Sequence, residues 1–85
     1  MTQVAQIERK AATMFAAQRR VKRASRLAHV ETQSLKYAVL LESGAPYIRC
    51  AIERAVTAQN NAILAMDLLK IARSELGAEW RNNGR

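Results

Sequence analysis

The 85-residue chain has one cysteine, one histidine, one proline, three glycines and four aromatic residues. The lone Cys50 excludes an internal disulfide framework, and one His beside one Cys cannot supply the ligands of an N/S zinc site. Gly and Pro are too scarce for a collagen-like chain. Hydrophobic residues at 49% are too many for a disordered one. No run of about 18 apolar residues exists, so no membrane span is expected. The N-terminus is polar (Thr2, Gln3, Gln6, Glu8) and lacks an apolar stretch. That predicts no secretory leader and a cytoplasmic location. The length corresponds to about one small domain, with too little core for a deep catalytic cleft.

Acidic residues are missing altogether from one segment. Between Arg9 and Val30 stand seven bases (Arg9, Lys10, Arg19, Arg20, Lys22, Arg23, Arg26) and no acid. The rest of the chain holds seven of each sign, so the whole net charge of +7 sits in this segment. A concentrated field acts on partners, whereas a scattered one mainly aids solubility.

What the chain has in quantity is alanine, sixteen residues of it, mixed with Leu, Glu, Arg, Lys and Gln. These are the strongest helix formers, and no segment alternates like a strand. The expected fold is all-α. Ser43-Gly44-Ala45-Pro46 is the clearest interruption. Gly suits the left-handed residue that closes a helix, and Pro suits the first turn of the next. Thr2 is the expected N-cap and Gly77 the expected stop. The pattern predicts a helix near 3–42 and another near 46–76, forming a long antiparallel hairpin over residues 1–80 with a polar tail at 81–85. The first helix would overhang at its N-terminus. A dip in helix propensity at Glu31-Thr32-Gln33-Ser34 keeps a three-helix alternative open.

The helical faces point to association. Val4, Ile7, Ala11, Met14, Val21 and Ala28 form a narrow seam on the first helix. Its bases fan over an arc about 160° wide on the other side. Toward the turn, Leu27, Val30, Tyr37 and Leu41 continue on the formerly basic side, while Leu35 and Val39 keep near the seam. On the second helix, Ile48, Ala51, Ile52, Ala55, Ala62, Ile63, Met66, Leu69 and Leu76 share one broad face, with Trp80 at its end. That face is expected to pack on the first helix. Leu64, Leu68 and Ile71 then stand opposite it, at i, i+4, i+7. One hairpin cannot cover both stripes, and each exposed side chain forgoes roughly 1.5–3 kcal/mol of burial. The expected interface is Leu64, Leu68 and Ile71 with Leu35, Tyr37 and Leu41, closed by a second copy in a helical bundle or by a heteromeric protein partner. The alternative is a broken first helix folding back over the stripe.

The basic stretch Arg19, Arg20, Lys22, Arg23 and Arg26 is the sharpest local feature. Phosphates attract such a helix and release counterions on binding, which makes RNA or DNA the alternative partner. The competing reading is a solvated or protein-facing surface. Aromatic residues for base stacking are absent from the stretch, as are helix-turn-helix and zinc-finger patterns. His29 is expected on the surface, and Cys50 as a small, at least half-buried thiol. Gln59, Asn60 and Asn61 form a polar patch mid-helix, and Gln18 faces Gln59, Thr32 or solvent. Glu75 and Glu79 are separated by Gly77, which weakens a shared helical face. No Ser/His/Asp set, phosphate loop or acid pair is present. The expectation is therefore a non-enzymatic protein without cofactor, metal, membrane or small-molecule substrate.

Gly44-Ala45-Pro46-Tyr47, followed by the apolar helix from Ile48 to about Leu69, resembles the small hairpin chaperone subunits of type III secretion needles. The likeness covers under half the chain, and the long basic first helix departs from that family. It implies a hairpin that lends a helical face to a partner. The shape is also similar to small plasmid and phage regulators that dimerise into four-helix bundles, an architectural likeness only. Together these readings describe an adaptor, small chaperone or inhibitor that works by helix–helix binding, with a nucleic-acid-binding regulator as the alternative.

Overall fold

The computed structural model describes residues 2–83, with side chains from Val4 to Asn82. Two helices, α1 (Thr2–Leu40) and α2 (Ala45–Asn83), form an antiparallel hairpin 62 Å long and 13–14 Å thick. The expected all-α hairpin is the fold, with two helices rather than three.

Alanine sets how the helices meet. The buried residues of α2 are Ala51, Ala55, Ala58, Ala62, Ala65, Leu69 and Ala72. Their alternating steps of four and three are the 3.5-residue period of a coiled-coil seam. From α1 come the buried Ala17 and Ala38, with Met14 and Val21 packed beside Leu69 and Ala72. Methyl-sized contacts place helix axes near the lower end of the usual 8–10 Å separation.

This seam corrects the expected packing face of α2. Ala51, Ala55, Ala62 and Leu69 are in it, but Ile52, Ile63 and Met66 remain exposed on its flank. Ile52, Ile63 and Met66 are displaced outward because the seam runs through the alanines beside them and leaves room for few side chains larger than a methyl.

The helix ends also differ from expectation. Glu42, not glycine, takes the left-handed conformation after α1, with φ 51°. The Ser43 amide donates to the Ala38 carbonyl at 3.0 Å and the Glu42 amide to Val39 at 3.1 Å. These are the two bonds of a Schellman closure. Gly44 instead stands before α2, its carbonyl accepting from the amides of Tyr47 and Ile48. Pro46 lies in the first turn, where its missing N–H costs nothing.

Gly77 does not stop α2. The helix passes through it to Asn83, so Arg81 and Asn82 belong to the helix rather than to a tail, and α2 equals α1 in length at 39 residues. Continuation places Glu79 against α1, where its carboxylate meets the Lys10 ammonium at 3.1 Å. No break occurs at 31–34. There the Thr32 hydroxyl donates to the Ala28 carbonyl at 2.7 Å and accepts from the Gln59 amide at 3.1 Å. Glu31 and Arg54 pair nearby at 3.7 Å. Contacts across the seam offset the local dip in propensity. The capping role expected of Thr2 lies outside the described side chains, and Gly84 and Arg85 lie outside the described residues.

Two consequences are measurable. Ala58→Leu should overpack the seam and lower stability by about 1–3 kcal/mol, read as a fall in thermal midpoint. Glu42→Gly should raise stability by about 0.5–1 kcal/mol, because it relieves the left-handed penalty less the added unfolded-chain entropy. Urea unfolding measures this, and an unchanged or lower midpoint would contradict it.

Candidate protein interface

Packing on the alanine seam leaves each helix with two flanks, and in an antiparallel pair like flanks lie on the same side. On one side, three grooves run along the hairpin between the helices. Nearest the turn, Ser34, Tyr37, Leu41 and Tyr47 line the first. Leu27, Cys50, Arg54, Thr57 and Asn61 line the next. Asn61 also borders the third, with Ala16, Arg20, Leu64, Leu68 and Ile71. Val30, seven residues before Tyr37, falls on this flank as well.

The structure thus brings Leu64, Leu68, Ile71, Tyr37 and Leu41 to one side of the molecule. Leu64 is 61% exposed, Leu68 51% and Ile71 55%. Leu35 is set apart from them. It is half-buried, three residues before the buried Ala38, on the part of α1 turned toward α2.

The opposite side carries a different mixture. Phe15, Gln18, Arg19, Lys22 and Arg73 share a groove there. Farther out, Ile7, Ala11, Leu76 and Trp80 line another. Ile52, Val56, Ile63 and Met66 continue as an apolar strip toward the turn. All five bases of the sharp stretch are exposed. They divide between the sides, with Arg20 rimming the Leu64 groove while Arg19 and Lys22 rim the Phe15 groove. The two ion pairs described use other bases, Lys10 and Arg54.

Two members of the basic surface were not legible in the stretch itself. Arg73 joins it from α2, and the exposed Phe15 places an aromatic ring beside Arg19 and Lys22. The signal for Phe15 was its spacing of four from Arg19 and seven from Lys22, which puts all three on neighbouring rows of α1. Cys50 is exposed, contrary to the expected burial, because the seam passes through its neighbour Ala51. His29 lies on the surface. Gln59 pairs with Thr32, and Gln18 is half-buried in the Phe15 groove. Glu75 and Glu79 separate, since Glu75 lines the Leu64 groove while Glu79 reaches Lys10.

Among the described residues, no group of three or more His, Cys, Asp or Glu side chains is placed to hold a metal ion. No helix there is long and apolar enough to cross a membrane. No family model, curated protein or solved structure matches the chain.

Proposed function

We propose that this chain is a small non-enzymatic interaction protein, an adaptor, small chaperone or inhibitor, acting by helix–helix binding and self-association. The observation that supports this is the exposure of Leu64, Leu68 and Ile71 on the same side as Tyr37 and Leu41. Exposed apolar side chains gathered on one side are a docking signature, and their burial would return roughly 1.5–3 kcal/mol for each large side chain covered. The cytoplasm is the proposed location. The likeness to needle-subunit chaperones, carried by Gly44-Ala45-Pro46-Tyr47, agrees with a hairpin that lends one helical face to a partner.

A second reading has its own support. Arg19, Arg20, Lys22, Arg23 and Arg26 are all exposed, and Arg73 extends their surface across to α2. Such a surface suits the phosphates of RNA or DNA. The flanking Phe15 ring offers one stacking platform.

The readings separate experimentally. Leu64→Asp with Leu68→Asp should disrupt assembly, read as a lower mass in light scattering, and lower the thermal midpoint. Unchanged mass and stability would reject the interaction reading. Replacing Arg19, Lys22, Arg23 and Arg26 by Gln should weaken binding to a nucleic-acid duplex. The slope of log affinity against log salt should flatten by about 0.9 for each phosphate that is no longer neutralised. No gel shift of DNA or RNA by the native chain at low salt would remove the second reading.

A further inference from the structure

The groove beside Phe15 joins cations from both helices to an aromatic ring. Arg19 and Lys22 rim it from α1 and Arg73 from α2, and no acid lines it. Val21 and the buried Leu69 form its apolar floor. Phe15 is 51% exposed at its edge. The groove measures about 540 Å³, within the range of roughly 300–1,000 Å³ usual for small-ligand sites. Among the described residues, the side chains of Gln18, Arg19, Lys22 and Arg73 make no hydrogen bond or ion pair. The Leu64 groove differs, since Arg20 shares it with Glu75.

A second ring belongs to the same side. Arg73 also lines the adjoining groove, where Trp80 is 67% exposed. Trp80 follows Arg73 by two turns of α2, about 10 Å along the axis at about 1.5 Å per residue. One guanidinium therefore borders the grooves of both rings. On α1, Phe15, Arg19, Lys22 and Arg26 follow one another at steps of four, three and four, which keeps them on one face. Two exposed rings and a run of free cations thus share one side of the hairpin.

We propose that this groove takes single-stranded nucleic acid, with an unpaired base on Phe15 and the adjoining phosphates on Arg19, Lys22 and Arg73. This rests on the reading above that the basic surface meets RNA or DNA, and it names the form that fits. In a duplex each base face is covered by its stacked neighbours, so a ring on the protein gains nothing except at an end. A single strand offers bare base faces and phosphates in alternation, which is what rings and cations together bind. Such stacking tolerates sequence, because every base has a π-face. Gln18 adds a carboxamide that both donates and accepts, free to meet a base edge. An anionic lipid surface matches less well, because it is flat while this site is a cleft whose floor, Leu69, lies between the helices.

Fluorescence and affinity test this. Trp80 is the only tryptophan, so Trp80→Phe with Phe15→Trp moves the reporter into the groove. Its emission should be quenched by a short oligothymidylate, and far less by the same strand annealed to oligodeoxyadenylate. In the native background, Phe15→Ala should weaken binding of the single strand roughly five- to 150-fold and leave duplex affinity unchanged. The salt slope of Phe15→Ala should equal that of the native chain, because a ring releases no counterions. Arg73→Gln should instead flatten the single-strand slope by about 0.7. Alanine is the strongest helix former, so Phe15→Ala preserves α1, and circular dichroism verifies each variant. Equal affinity for strand and duplex, or an equal loss of both in Phe15→Ala, would overturn the proposal and leave the basic-surface reading standing. Absence of binding to either at low salt would overturn both. A blue shift of the groove tryptophan on phosphatidylglycerol vesicles, without quenching by oligothymidylate, would overturn it in favour of a lipid surface.

Discussion

The separation of the two helices is set by methyl groups, and most other features of the molecule follow from it. A mostly alanine seam on α2 brings two backbones close, and close backbones leave room in the contact for only a few larger side chains, Leu69 with Met14 and Val21. Most of the other large apolar side chains, among them Ile52, Ile63, Leu64, Leu68 and Ile71, are therefore displaced to the flanks. Burying one methyl returns about 0.8 kcal/mol, against roughly 1.5–3 for a leucine or phenylalanine. Ordering each residue costs about 1–2 kcal/mol of backbone entropy. A thin seam of this kind draws heavily on the helix propensity of alanine itself. It also leaves most of the chain's hydrophobic side chains available for a further contact, so the weakness of the core and the greasiness of the surface have one cause.

The seven-residue recurrence of alanine in the α2 seam leaves the register partly degenerate, with Leu69 against Met14 and Val21 the main distinction along it. The polar pairs break that degeneracy. Lys10 with Glu79, Glu31 with Arg54 and Thr32 with Gln59 fix the register from the open end to the middle. The Schellman closure at Glu42 and the Gly44 carbonyl fix it at the turn. Each exposed ion pair is worth only about 0–1 kcal/mol, so their main effect is to choose among alignments rather than to stabilise the fold. A hairpin with defined register presents a defined surface, which a docking face requires.

Much of this was legible in the residues, and the omissions share a pattern. Helix formers, the single Pro46 and the absence of alternation were sufficient for an all-α hairpin turning at 43–46. Leu64, Leu68 and Ile71 were legible as surplus because their i, i+4, i+7 row is local. The packing face of α2 was misjudged because hydrophobicity ranks Ile52, Ile63 and Met66 above alanine. The seven-residue recurrence of Ala51, Ala58, Ala65 and Ala72 carried the opposite message. Gly77 and the 31–34 stretch read as breaks because propensity is local, while Lys10, Gln59 and Arg54 act on them from the other helix. Phe15 and Arg73 could not be joined until the hairpin register brought α1 and α2 side by side.

The distribution of charge gives the two proposed activities a physical relation. Bases crowd the open half of α1, and apolar side chains crowd its turn half. Association through the turn half removes oily surface from water without desolvating the bases, which would cost several kcal/mol for each ion buried unpaired. The open half also carries Leu64, Leu68 and Ile71, where Glu75 lines the same groove as Arg20. Helix–helix docking at that groove and anion binding by the basic stretch therefore meet at Arg20.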